Sequence, residues 1–214
     1  MIRGVLFDMD GVLVDTEEFI CRAAIMMFEE MGLRARPSDF IPFVGMGENK
    51  YIGGVAEKYG LLIDIAEAKS RIYEIYENIT RDRIKPLPGA LEFLGICRNK
   101  GFRLALATSA DRIKMGINLR EIGLKEEDFM FAADGLMVER KKPYPDIYLL
   151  AAEKIGLKPG ECLVVEDAPS GIRAAREAGC RILAVATSFR RDLIKEADWI
   201  CSSLENVPEE ALNW

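Results

Sequence analysis

Short apolar runs and helical patterns alternate along most of the chain. The runs at 4–7, 102–107, 162–166 and 181–186, with a shorter one at 129–133, predict β-strands. Helical periodicity occurs at about 89–100, 111–122, 144–156 and 169–178, and a glycine follows most of these segments, where helices commonly end. The alternation predicts an α/β fold with a Rossmann-like parallel sheet and helices on both of its faces.

The segment from 16 to 83 departs from this alternation. It has helical patterns at roughly 17–31, 38–43, 48–59 and 65–79, with no strand pattern between them. The sequence therefore predicts two domains. Residues 1–15 and 84–214 would form an α/β core, and residues 16–83 would form an α-helical domain inserted after the first strand.

Composition excludes several classes of protein. The chain of 214 residues has a net charge of −6, which gives no electrostatic basis for binding nucleic acid or an anionic membrane. No apolar run approaches the ~20 residues needed to cross a bilayer. The lack of histidine excludes Ser-His-Asp and Cys-His catalysis. The five dispersed cysteines predict reduced thiols and a cytoplasmic protein, and we expect a monomer, with a dimer left open.

Acidic and hydroxyl side chains follow the predicted strands. Asp8 and Asp10 come directly after the first run, and Gly11 allows a sharp turn. Residues two apart point to the same side of an extended chain, so these carboxylates should lie together and attract a hard cation such as Mg²⁺. Further residues of this kind are Thr108, Glu166 and Asp167. Ligands bind beyond the carboxyl ends of parallel strands, so one site is expected there.

Four motifs, in this order, resemble those of the haloacid dehalogenase (HAD) superfamily. They are D-x-D-G-x-x-x-D-T at 8–16, the strand that ends in Thr108-Ser109, the Lys142-Pro143 pair, and Glu166-Asp167. The resemblance is to the branch of phosphatases and β-phosphoglucomutases with an inserted helical cap. It implies a HAD-like core, a cap at 16–83, and Mg²⁺-dependent hydrolysis of a small phosphorylated metabolite such as a sugar phosphate or phosphoglycolate.

The resemblance also implies a role for each motif residue. Asp8 would be the nucleophile that forms an aspartyl-phosphate, and Asp10 the general acid and base. Lys142 would neutralise Asp8 and the phosphate, and Thr108 would bind a phosphate oxygen. The metal ligands would be Asp8, the backbone carbonyl of Asp10, Asp167, and Glu166 from an inner or outer shell. The expected substrate-binding residues are Thr16, which would also orient Asp10, and Gly47, Lys50, Ser109, Ala110 and Arg112.

Three alternative functions stay open. The β-phosphoglucomutase cap pattern is Lys-Gly-x-x-Arg, whereas 44–48 here reads Val-Gly-Met-Gly-Glu, without the basic residues that would hold a second phosphate. Met46-Gly47-x-x-Lys50 resembles the cap signature of phosphonoacetaldehyde hydrolase, but that family has alanine at the position of Asp10. Asp10 also argues against a dehalogenase. The third alternative is a non-catalytic phosphometabolite-binding protein on the same fold.

Overall fold

The structure is a computed structural model that describes residues 1–43 and 47–213. It divides into two compact units: a core unit, Met1–Asp15 with Lys85–Trp214, and a helical unit, Thr16–Ile84. The chain leaves and re-enters the core unit at neighbouring positions, because Val14 and Pro86 form an antiparallel bridge. The helical unit is thus an insertion into a continuous core.

A six-stranded parallel sheet forms the centre of the core unit among the residues described. Its strands are β1 (Gly4–Phe7), β2 (Arg103–Ala107), β3 (Phe131–Ala133), β4 (Cys162–Glu166), β5 (Arg181–Val185) and β6 (Trp199–Cys201), in the order β3-β2-β1-β4-β5-β6. In register, Gly4 of β1 pairs with Arg103 on one side and with Cys162 on the other. The carboxyl ends of β2, β1 and β4 therefore lie side by side. The predicted α/β fold with a Rossmann-like parallel sheet is confirmed.

Four helices make up most of the helical unit within its described residues: α1 (Glu17–Glu30), α2 (Pro37–Phe40), α3 (Glu48–Lys58) and α4 (Ile65–Thr80). Helix α1 packs on α4. The rings of Phe28, Phe40 and Tyr51 contact one another in series, with centroid separations of 6.2 and 4.9 Å. The helix predicted at 38–43 ends earlier and continues as a 3₁₀ turn, Ile41–Phe43, because Pro42 has no N–H to extend the α-helix.

The core helices cover both faces of the sheet. They are α5 (Ala90–Asn99), α6 (Arg112–Glu121), α7 (Asp146–Lys154) and α8 (Pro169–Ala178). Leu6 of β1 belongs to one apolar cluster, together with Ile147 of α7 and Ile172 of α8. Successive strand residues face opposite ways, and the ring of the next residue, Phe7, lies edge-on to Phe93 of α5 at 6.0 Å. Each face of the central strand is thus buried by its own helices.

The observed elements differ from the sequence prediction mainly at their ends. Strand β2 begins at Arg103 rather than at 102, and β3 spans Phe131–Ala133 rather than 129–133. The edge strand β6 was not predicted, because three residues are too few for an apolar pattern to stand out. Residues 44–46, which begin the cap stretch compared above, lie outside the described residues. Within the described ranges, no helix is long and apolar enough to cross a membrane.

Candidate active site

Three buried carboxylates meet at the carboxyl ends of β1 and β4. Asp8 follows β1, Glu166 ends β4, and Asp167 comes next; they are 7%, 1% and 4% exposed. The three residues offer carboxylate oxygens that lie within 4.8 Å of one another. Strands β1 and β4 are paired in register, which brings these ends together. Like charges held this close and out of water are unfavourable, so the cluster requires nearby positive charge.

Lys142 supplies positive charge to the cluster. Its Nζ lies 2.7 Å from Asp8 Oδ1 and 2.7 Å from Glu166 Oε1, and its side chain is 6% exposed. The ammonium also lies 4.9 Å from the centroid of the Tyr148 ring. Burial lowers the pKa of Lys142, but the charges of Asp8 and Glu166 more than offset this and raise it above its ordinary value. The lysine therefore stays protonated at neutral pH.

One ammonium does not balance three carboxylates. Burial raises the pKa of Asp8 to about 7; Lys142 opposes this shift and Glu166 adds to it. Burial, followed by the charges of Glu166 and Asp8, raises the pKa of Asp167 well above its ordinary value. A dense set of oxygen donors with surplus negative charge suits a hard divalent cation.

Glu166 is held by four hydrogen bonds. Its Oε1 accepts from Lys142 Nζ and from the Tyr148 hydroxyl, at 2.7 and 2.9 Å. Its Oε2 accepts from the next two backbone N–H groups, both at 2.8 Å. The Gly171 position lies so close that a Cβ there would be 1.6 Å from Oε1. Glu166 thus holds Lys142 in place through one carboxylate oxygen and contacts the backbone just before α8 through the other.

The loop after β1 carries Asp10. Gly11 adopts φ +79°, and a Cβ at this position would lie 2.0 Å from Asp167 Oδ2. Both the conformation and the close approach require glycine. The Thr187 hydroxyl donates to the Gly11 carbonyl oxygen. Asp10 Oδ2 accepts a hydrogen bond from Lys114 Nζ, on α6, at 2.9 Å.

The residues after β2 reach the same edge of the sheet. Thr108 is 1% exposed, and its Oγ1 accepts a hydrogen bond from the Ala110 N–H at 3.1 Å. Ser109 is half-buried and Ala110 is buried. The Arg112 side chain, in contrast, is 58% exposed and forms an ion pair with Glu126 at 2.7 Å. The structure thus brings Thr108, Ser109 and Ala110 to the edge where Asp8 lies, whereas the Arg112 charge is bound to Glu126.

The other predicted substrate contacts lie in the helical unit. Thr16 is its first residue and is 1% exposed. Gly47 adopts φ +86° immediately before α3, and its carbonyl oxygen accepts from the N–H of Lys50, which is exposed in the first turn. Their assignment to substrate binding stays a prediction.

Two residues of the site, Lys114 and Tyr148, are not among those predicted from the sequence. Lys114 reads as a surface lysine in a helical pattern, yet it is 7% exposed while its apolar neighbour Ile113 is 59% exposed. The sequence does contain one indication of a polar inward face: Asn118 lies one helical turn after Lys114, on the same side of the helix. Tyr148 reads as an ordinary core aromatic, and its hydroxyl contact with Glu166 has no signature in the sequence.

Comparison with known proteins identifies the family of this chain. The sequence model described as "Hydrolase: haloacid dehalogenase-like hydrolase" matches residues 2–179. Protein SUPPRESSOR OF QUENCHING 1, chloroplastic, from Arabidopsis thaliana is 43% identical over 92% of this chain, but the match spans only 19% of that longer protein. Hexitol phosphatase A from Escherichia coli is 32% identical over 96% of this chain and 93% of its own length.

The fold has a solved counterpart of the same size. CbbY from Rhodobacter sphaeroides, crystallised with phosphate, is 27% identical to this chain, and the two structures match with a TM-score of 0.88. The match covers 100% of each chain. The family match covers well over half of this chain. The chain belongs to the haloacid dehalogenase-like hydrolases and is a phosphoric monoester hydrolase of that superfamily.

Proposed function

We propose that this protein is a Mg²⁺-dependent phosphatase that hydrolyses a small sugar phosphate or a phosphoglycolate-type metabolite through an aspartyl-phosphate on Asp8. The observation that carries the proposal is the contact of Lys142 with Asp8 at 2.7 Å inside a buried carboxylate cluster. The similarity to hexitol phosphatase A supports a phosphorylated carbohydrate as the substrate, and the phosphate bound to CbbY supports a phosphate-binding site. The five free thiols support a cytoplasmic location.

The proposed reaction has two steps. A carboxylate oxygen of Asp8 attacks phosphorus in line with the ester oxygen, and Asp10 gives a proton to that oxygen as the ester bond breaks. Water then attacks the aspartyl-phosphate, Asp10 takes its proton, and inorganic phosphate leaves with Asp8 regenerated. Lys142 offsets the charge of the phosphoryl oxygens throughout, and Thr108 donates a hydrogen bond to one of them.

The donor set at the strand ends fits Mg²⁺, which prefers oxygen ligands and usually keeps several waters. Asp8, Asp167 and the backbone carbonyl of Asp10 would hold the ion directly. Glu166 would act from the outer shell, because its two oxygens already accept four hydrogen bonds. When bound, Mg²⁺ supplies positive charge that offsets the phosphate and the carboxylates.

We further propose that the helical unit serves as a cap that reads the substrate, with Thr16, Gly47 and Lys50 among its contacts. Glu48 accepts a hydrogen bond from the Tyr73 hydroxyl, which holds a carboxylate at the start of α3. The stretch 44–48 lacks the basic residues that would hold a second phosphate, which a mutase must bind, and Glu48 would repel that phosphate if it faced the substrate. This favours a phosphatase over a β-phosphoglucomutase. The proposed partner is a small phosphorylated metabolite, with no nucleic acid or membrane, and the proposed state is a monomer.

A substrate panel tests the proposal. Phosphate release is measured from p-nitrophenyl phosphate, phosphoglycolate, hexitol phosphates and sugar phosphates, with Mg²⁺, with EDTA and with Ca²⁺. We expect activity with Mg²⁺, none with EDTA and little with Ca²⁺, which prefers longer bonds and more ligands. With β-glucose 1-phosphate and its bisphosphate activator, phosphate release should exceed isomerisation. Efficient formation of glucose 6-phosphate would assign a mutase instead, and no turnover in any condition would assign a binding protein.

A further inference from the structure

Lys114 is an unusual residue for its position in a helix. It lies in the first turn of α6, yet its side chain is only 9% exposed. Lysine is rarely buried without a charged partner, and here the ammonium donates to Asp10 Oδ2 at 2.9 Å. The Asp10 side chain is 35% exposed. The lysine therefore approaches from the protein interior, while the carboxylate retains access to solvent.

Lys114 belongs to a polar face of α6 that is turned inward. Lys114 and Asn118 are one helical turn apart and are 7% and 0% exposed. The Asn118 amide lies 3.8 Å from Met9 Sδ, in the loop that follows β1. Two successive turns of α6 thus contact two successive residues of that loop, Met9 and Asp10. Burying polar groups on a helix costs stability unless they are paired, so this face is specialised for contact with the loop.

We propose that Lys114 is a positioning residue for Asp10 in the proton-transfer steps; this inference rests on the proposed phosphatase mechanism. The ion pair restrains one carboxylate oxygen and therefore the plane of the group. A general acid must lie within about 2.6–3.2 Å of the oxygen that it protonates. A misplacement of about 1 Å can cost roughly 10²-fold in rate. Lys114 itself exchanges no proton with the substrate.

The test compares two aryl phosphates that differ in leaving group. Phenolate is a poor leaving group and needs a proton, whereas p-nitrophenolate leaves readily without one. In a reaction with a covalent intermediate, kcat/KM covers only the steps up to transfer of the phosphoryl group to Asp8. We expect Lys114→Met to lower kcat/KM for phenyl phosphate by roughly 10- to 100-fold, and for p-nitrophenyl phosphate by less than about threefold.

Four further variants sharpen the result. Asp10→Asn should also lower kcat/KM more for phenyl phosphate than for p-nitrophenyl phosphate, and by a larger factor than Lys114→Met does. Adding Lys114→Met to Asp10→Asn should lower kcat/KM no further, because both changes affect the same carboxylate. Lys114→Arg, which keeps the charge and a donor, should recover part of the activity on phenyl phosphate. The control Arg120→Met removes an exposed charge from the last turn of the same helix and should leave kcat/KM unchanged for both substrates.

Equal losses on both substrates, or additive effects of Asp10→Asn and Lys114→Met, would overturn the positioning role. Circular dichroism and the melting temperature establish that each variant is folded. If Lys114→Met does not fold, Lys114→Gln takes its place in the same assay. Asp8→Asn separates a failure of the phosphatase mechanism from a failure of the proposed role of Lys114. A fully active Asp8→Asn enzyme would refute the phosphatase mechanism, whereas an inactive one beside equal Lys114→Met losses refutes only the role of Lys114.

Discussion

The core unit and the helical unit use buried charge in opposite ways. In the core, carboxylates from two separate stretches of chain, at Asp8 and at Glu166-Asp167, share the ammonium of Lys142. In the helical unit, Asp39 is 5% exposed and accepts hydrogen bonds from Lys58 Nζ, the Tyr59 hydroxyl and the Arg36 N–H. That carboxylate is fully matched by local donors. The core cluster holds surplus negative charge, which is useful for catalysis and unfavourable for stability.

The pKa shifts follow the same division. Burial raises the pKa of Asp8 to about 7. Hydrogen bonds from Lys58, then Tyr59, then the Arg36 N–H hold the pKa of Asp39 well below its usual range. Folding therefore favours the protonated form of Asp8 and the ionised form of Asp39. The difference indicates that Asp39 stabilises the fold, while Asp8 is held in an unfavourable state that its chemistry requires.

The largest expected effect is at the nucleophile. Asp8→Asn should lower phosphate release by at least roughly 10³-fold, because an amide cannot form the acyl phosphate. Turnover of p-nitrophenyl phosphate with Mg²⁺ measures this directly. Asp192→Asn changes an exposed carboxylate of the core unit and should leave turnover unchanged. Wild-type turnover in Asp8→Asn would remove the basis for assigning chemistry to the core.

The same variant should be more stable than the wild type when metal is removed. Folding raises the pKa of Asp8 from 3.8 to about 7, so the folded state binds more protons than the unfolded state across this range. The free energy of unfolding should therefore fall as pH rises from 3.8 through 7. In EDTA, Asp8→Asn should raise the melting temperature at pH 8 and change it little below pH 4. A lower melting temperature at pH 8 would contradict the surplus-charge interpretation.

A smaller effect, on stability alone, is expected in the helical unit. Asp39→Asn should lower the melting temperature at pH 7 and leave kcat unchanged at temperatures where the protein is folded. Folding lowers the pKa of Asp39, so its contribution is present above the unfolded pKa of 3.8 and is lost as pH falls through the folded value. The difference between variant and wild type should therefore shrink toward low pH.

Lys58→Met is the matched partner for this measurement. Because Lys58 donates to Asp39, the two substitutions together should destabilise less than the sum of the single effects. Strict additivity would mean that the pair does not act as a unit. A lower kcat in either variant would contradict the assignment of catalysis to the core unit alone.

The smallest effect is expected at Lys50, which is exposed on α3. Lys50→Ala should raise KM by no more than about threefold and leave kcat intact, because an exposed lysine adds little binding energy. Borohydride should trap no adduct at this residue during turnover. A trapped imine at Lys50 would assign a catalytic residue to the helical unit and would favour the phosphonoacetaldehyde hydrolase alternative.

Local patterns along the sequence were enough to predict most of the fold. The period of apolar residues distinguishes a buried strand such as Gly4–Phe7 from an amphipathic helix such as Glu17–Glu30 without reference to distant residues. The same patterns located Asp8, Thr108 and Glu166 at strand ends, and therefore at one edge of a parallel sheet. They did not reveal β6, whose three residues form a strand only because β5 lies beside them.

The contacts made by those side chains depended on the tertiary structure. Lys142 meets Asp8 across 134 positions of chain, and Lys114 meets Asp10 across 104. Such pairs exist only because β1 lies between β2 and β4 in the sheet, an order that local periodicity does not encode. Lys114 is buried while Ile113 is exposed because α6 turns the face of Lys114 toward the loop after β1. The sequence alone determined which residues could do chemistry, and the register of distant strands decided which of them meet.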